Sequence, residues 1–236
     1  MNTEENYQKL QNTMNEYSDW VYRSAKAVLG FLDLKNKKVV DFGCGRGDWL
    51  KVASEKGANQ LLGFDTYAQE YKELDIPNMR VDLTKPISLD QKFDVALCLE
   101  VGEHVEAAYS AILVDSIVRS APVVLFSAAI PGQGGVHHVN EKPPIFWHEL
   151  FNKHNYKCYD FRKEIWNNKD IQPWYKTSLL LYCAEGYVPK KLENYYTNSP
   201  LHLVHPDIFE AHAQTGKDII FHYNKDLEKW YTEILS

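Results

Sequence analysis

Residues 37–65 read KKVVDFGCGRGDWLKVASEKGANQLLGFD, and this stretch decides the fold. Val39 and Val40 belong to a short β-branched run that ends at Asp41, and Gly43, Gly45 and Gly47 follow at alternate positions. A strand that runs into closely spaced glycines predicts a sharp turn, because glycine adopts positive φ at no steric cost. GDWLKVASEKG (47–57) then reads as a helix closed by Gly57, and NQLLGFD (59–65) as a second strand. Strand, turn, helix and strand in that order make a parallel βαβ unit.

The alternation continues on both sides. Upstream, residues 5–32 place Tyr17, Trp20, Val21, Ala25, Val28, Leu29 and Leu32 at three- and four-residue steps, which predicts a helix. Downstream, NMRVDL (78–83) reads as a strand. KFDVALCLE (92–100) is a nearly unbroken apolar run, as expected for a strand buried on both faces. HVEAAYSAILVDSIVRS (104–120) reads as a helix and PVVLFSAAI (122–130) as a strand. PPIFWHELFNKHN (143–155) is a helix opened by prolines, and YKCYDFR (156–162) and TSLLLYCAE (177–185) are closing strands. The pattern predicts an α/β fold, a Rossmann-like, doubly wound, mostly parallel sheet with an N-terminal helix and a C-terminal extension. One domain, 1–236, is expected: a helical segment 1–35, a core 36–185, and a tail 186–236 with weak helices near 206–215 and 225–235. The tail is expected to cap the fold or to support a homodimer.

With 32 acidic against 26 basic residues the net charge is −6, and no basic face suggests itself, which argues against nucleic acid as a partner. Cys44, Cys98, Cys158 and Cys183 form no CxxC, and the last three sit in apolar runs; buried free thiols in a reducing compartment are expected. The N-terminus shows no apolar leader and no stretch has membrane-spanning length, so a cytoplasmic protein without membrane contact is expected.

Ligands of open α/β sheets lie beyond the carboxyl ends of the strands, so the residues there carry the function. The first strand ends in Asp41 and the glycine loop, the second in Asp65, and the third in Asp82 followed by Leu83. A carboxylate at the end of the second strand suits both hydroxyls of an adenosine ribose. GxGxG differs in spacing from the GxGxxG dinucleotide fingerprint. DFGCGRGDWL, GFD, VDL and FDVALCLEVGEHV, in this order, resemble the motifs of class I S-adenosylmethionine (SAM) methyltransferases over residues 37–185. The resemblance implies that Asp41 and the loop Gly43, Cys44, Gly45 and Gly47 hold the methionine end of SAM. It also implies that Asp65, with Thr66 beside it, binds the ribose and Asp82 with Leu83 the adenine.

Beyond the fourth strand stands Glu100-Val-Gly-Glu103-His104, and beyond the fifth AIPGQGGVHHVNE, with His137, His138, Asn140 and Glu141. If a helix starts near Glu100, then Glu100, Glu103 and His104 share one face. Two chemistries fit. Glu100, Glu103, His104 and His138 (or His137) could bind a divalent metal (Mg, Mn, Fe or Zn), an arrangement that resembles the metal site of small-RNA 2′-O-methyltransferases. Alternatively, Glu100 shapes the SAM pocket and His138 or His104 is the catalytic base. FSAAIPGQGGVHHVNE with PPIFWHELF is similar to bacterial methyltransferases of polysaccharide and natural-product pathways. Within it Trp147, Trp166, Trp174 and Tyr175 suit a sugar ring, although packing is expected of at least two. The expectation is a SAM-dependent O-methyltransferase for a sugar or polyol hydroxyl. The alternatives are a metal-dependent RNA 2′-O-methyltransferase and a SAM-binding regulator without turnover. His202, His205, His212 and His222 show no ligand spacing and are expected on the surface or in the cap.

Overall fold

The structure, a computed structural model, describes residues 19–66, 77–214, 218–224 and 229–235. The chain enters through a helix, α1 (19–28), and then follows strand β1 (Lys38–Phe42), helix α2 (Asp48–Glu55), β2 (Gln60–Asp65) and β3 (Asn78–Arg80). Next come β4 (Val95–Leu99), α3 (Ser110–Ser120), β5 (Val123–Ser127), α4 (Pro144–Asn152) and β6 (Lys157–Tyr159). The short helices α5 (Arg162–Ile165) and α6 (Pro173–Ser178) lead into β7 (Leu180–Cys183), β8 (Tyr196–Thr197) and α7 (Pro206–Gln214).

The main sheet has the order β3-β2-β1-β4-β5-β7-β6-β8. β1 pairs in parallel with β2 and β4, β2 with β3, and β4 with β5. β7 runs antiparallel between β5 and β6, and β8 pairs antiparallel with β6. The strand order reverses direction between β1 and β4, which opens a crevice at their carboxyl ends.

The pleat explains the near-continuous apolar runs. Val39, Leu97, Leu125 and Leu181 face one layer, with Ala25 and Val28 of α1, Leu50 and Ala53 of α2, and Tyr175 of α6. Their neighbours Val40, Cys98, Phe126 and Tyr182 face the other, with Leu113 and Ile117 of α3 and Trp147 and Phe151 of α4. Each such side chain contributes about 1.5–3 kcal/mol on burial, so every central strand is anchored from both sides. All four cysteines are buried free thiols. Among the described residues, no helix is long and apolar enough to cross a membrane.

Four local readings need correction or placement. The expected helix at 225–235 is instead the strand β10 (Lys229–Leu235), paired antiparallel with β9 (Asp218–Asn224). Trp230, Tyr231, Thr232 and Ile234 favour strands, and β9 supplies the hydrogen bonds. The strand expected at 78–83 ends at Arg80. The helix expected from 104 begins at Ser110, after two 3-10 turns, Gly102–His104 and Ala107–Tyr109. Residues 5–18 of the predicted first helix lie outside the described residues.

Candidate active site

The crevice floor is the loop between β1 and α2. Gly43, Gly45 and Gly47 all adopt positive φ, at 81°, 49° and 88°. A Cβ on Gly43 would lie 2.2 Å from Val101 Cγ2, so this glycine is required by space as well as by conformation. The Gly43 and Cys44 N–H groups donate to the Phe64 carbonyl at 2.7 and 2.9 Å, which ties the loop to the end of β2. Gly45 N–H donates to Asp65 Oδ2 at 2.9 Å. The carboxylate proposed for the ribose therefore also shapes the glycine loop. Asp41 is buried beneath it, and burial, with the nearby Asp65 charge, pushes its pKa up to about 7.

The third strand's acid is placed differently. Asp82 lies two residues beyond β3, is exposed, and accepts from Thr84 N–H at 2.9 Å and Thr84 Oγ1 at 2.6 Å. These Thr84 bonds hold its carboxyl below the usual range. Leu83 beside it is buried, while Thr66 is exposed with its hydroxyl on the Val81 carbonyl.

At the end of β4, Glu100 leaves the strand with φ +56°, and its N–H donates to the Ser127 carbonyl and hydroxyl, both at 3.1 Å. This break from helical geometry separates the residues expected on one helix face. The Glu100 carboxylate accepts from Gln133 Nε2 at 3.1 Å and Ser178 Oγ at 3.3 Å. Glu103, His104 and His138, by contrast, converge, with candidate ligand atoms all within 4.8 Å of one another. Glu100 stands outside that group. The imidazoles of His104 and His138 meet edge to face, with centroids 4.9 Å apart.

The electrostatics suit a site short of positive charge. Glu103 is 1% exposed, and its Oε2 has no hydrogen-bond partner. Burial, reinforced by Glu100, pushes its pKa up to about 9, while burial also holds His104 below the usual imidazole range. His104 Nδ1 lies 3.3 Å from the His137 carbonyl oxygen, which can only accept. Nδ1 therefore carries the proton and Nε2 the lone pair. One carboxylate and two imidazoles form a donor set suited to a divalent transition metal, and an unbonded buried carboxylate oxygen is what such an ion would satisfy.

A family model described as a methyltransferase domain matches residues 14–127, ending on the last residue of β5. That span holds the glycine loop, Asp65 and Glu100 to His104. Over these residues the chain is similar to methyltransferase domains. Solved structures share the fold of this chain. DesVI from Streptomyces venezuelae aligns with TM-score 0.56 and 10% identity over 78% of this chain and 99% of that one. The sugar N-methyltransferase KedS8 from Streptoalloteichus gives 0.53 and 12%, covering 71% and 87%. The magnesium protoporphyrin IX methyltransferase of Synechocystis, with bound SAM, gives 0.51 and 17%, covering 70% and 80%. No curated protein matches the sequence.

The chain uses its aromatic residues unequally. Trp147 and Tyr175 are core, packed on Phe126 at 5.0 Å and on Trp49 at 5.3 Å between ring centroids. Trp166 and Trp174 are half-buried, against His205 and Trp20. His205 is itself buried, with Nε2 3.0 Å from the Trp166 carbonyl oxygen, so it is a packed residue and not a surface one.

Sequence reasoning passed over several groups that the fold brings in. Gln133 and Ser178 hold Glu100. Gln172 caps α6, fully enclosed, with neither side-chain polar atom bonded, and Trp49 Nε1 is likewise unbonded. Such groups cost about 1–3 kcal/mol each, and a bound polar molecule or water removes that cost. Only glutamine's rarity in buried positions could have singled out Gln172 beforehand.

Proposed function

We propose that this chain is a class I methyltransferase that moves the methyl group of SAM to a hydroxyl of a small polar acceptor, a sugar or another polyol. The observation that carries the reading is the convergence of Glu103, His104 and His138, the first two just beyond the carboxyl end of β4. Asp41, the loop Gly43 to Gly47, and Asp65 form the SAM side, with Asp82 and Leu83 toward the adenine. Transfer from a sulfonium is an in-line displacement, so the chain must align oxygen, methyl and sulfur and dispose of the hydroxyl proton.

Glu103, His104 and His138 would hold a divalent cation. A bound cation lowers the pKa of an alcohol and orients it. The residues do the rest. His104 offers Nε2 because its Nδ1 hydrogen is committed to a carbonyl, and Glu103 offers the oxygen that lacks a partner. Gln133 and Ser178 fix the Glu100 carboxylate in place.

A second reading is favoured by the His138–Glu141 pair, 2.9 Å apart, the geometry of a base oriented by a carboxylate. In that reading His138 alone accepts the hydroxyl proton. One assay separates the two: methyl transfer from SAM to a panel of nucleotide sugars and polyols, with chelator and then with Mg²⁺ or Mn²⁺ restored. Loss of activity in chelator and its return with the ion support the cation. Full activity in chelator supports His138 as base. Transfer to amino sugars alone would overturn O-methylation.

A further inference from the structure

We propose that Glu141 is a positioning residue: it fixes His138 as the Nδ1-protonated tautomer, leaving Nε2 as the only lone pair on that ring. The inference rests on the proposed function only for what Nε2 then does, binding a cation or taking a proton.

Three contacts on one carboxylate carry it. Glu141 Oε1 lies 2.9 Å from His138 Nδ1 and accepts the Gly134 N–H at 2.7 Å. Oε2 accepts the Gly132 N–H at 2.8 Å. Two backbone amides pin the carboxylate, so its position does not depend on the imidazole. A carboxylate so held is an acceptor, and the ring nitrogen facing it must be the donor. The two side chains are only 20% and 13% exposed, so water competes weakly for the bond.

The surrounding loop is built for this arrangement. Gly132 and Gly134 take φ of +82° and +69°, which turns their amides toward Glu141. A Cβ on Gly135 would lie 2.3 Å from His138 Nε2, so the bare backbone there keeps space open beside that nitrogen. His137 adopts φ +60°, and its carbonyl fixes His104 through Nδ1 in the same sense. One loop thus sets the tautomers of both imidazoles. A ring nitrogen that donates to a carboxylate is held in orientation, and its partner nitrogen becomes the more basic ligand.

The test reads the tautomer directly. Long-range proton–nitrogen NMR of the metal-free protein near pH 8, assigned with His138→Ala, should show His138 protonated at Nδ1. Glu141→Ala should turn that signal into a mixture containing the Nε2-protonated form. It should also weaken Mn²⁺ binding by about 10–100-fold, with SAM affinity unchanged. A collapsed loop would weaken SAM as well, because Gln133 in the same loop holds Glu100. Wild-type His138 protonated at Nε2, or an unaltered pattern in Glu141→Ala, would overturn the proposal; if the variant does not fold, the wild-type spectrum decides. Absence of Mn²⁺ binding alongside the expected tautomer would remove the cation reading and leave Glu141's role standing.

Discussion

Asp65 does two jobs with one carboxylate, since it accepts the Gly45 N–H and closes the second strand at the crevice. Removing it frees a loop amide and deletes the expected ribose acceptor. Hydrogen bonds to a charged group are worth about 1.5–3 kcal/mol, so Asp65→Ala should weaken SAM by about 10–100-fold in calorimetry. Equal affinity would contradict the placement. Asp41 gives a pH signature. Its folded pKa of about 7 lies above the ordinary carboxylate value, so the fold prefers its protonated form. The stability this contributes is full below about pH 4 and is lost as pH rises through about 7. SAM brings positive charge to the ionised form, so its affinity should rise between about pH 6 and 8, and Asp41→Asn should flatten that rise. Asp41, the glycines and Asp65 were legible because each stands where a strand stops. Gln133 and Ser178 were not, because their shared partner, Glu100, lies 33 and 78 residues away and only packing brings them together.

At the scale of elements, the turn after β4 shows what periodicity cannot decide. Glu100, Glu103 and His104 have helical spacing, yet the positive φ of Glu100 and the 3-10 turn Gly102–His104 send Glu100 to one side and the other two to the cluster. Spacing alone is shared by an α-helix and a tighter turn that merely starts later. Gly102 marks the difference: a Cβ there would lie 2.6 Å from Trp147 Cζ2 on α4. Gly102→Ala should therefore overpack the junction by about 1–3 kcal/mol. That loss should lower the Tm by about 2–4 °C per kcal/mol. It should also reduce methyl transfer, since Glu103 and His104 follow directly. An unchanged Tm would show that Trp147 moves aside freely.

For the whole molecule, the alternation of strands and helices was readable because the sheet is buried on both faces and each central strand is a short apolar run. The tail was not readable in the same way. It contributes β8 to the edge of the main sheet and a separate β9–β10 hairpin, pairings that depend on partners outside each segment. The acidic balance of −6 fits a small acceptor better than a polyanion. A cation that binds only the native state also stabilises it globally, by about 2.7 kcal/mol at one hundred times its Kd. Mn²⁺ at that level should raise the Tm by about 5–10 °C. Glu103→Gln should abolish the rise, whereas a rise preserved in that variant would place the ion elsewhere.

The most direct measurement is a crystal structure with S-adenosylhomocysteine and Mn²⁺, with anomalous data at the manganese edge. The expected result is the nucleoside product on the Gly43–Gly47 loop and Asp65, with a single anomalous peak bounded by Glu103, His104 and His138. Product bound there without the peak would contradict the cation, and product bound away from the loop would contradict the site itself.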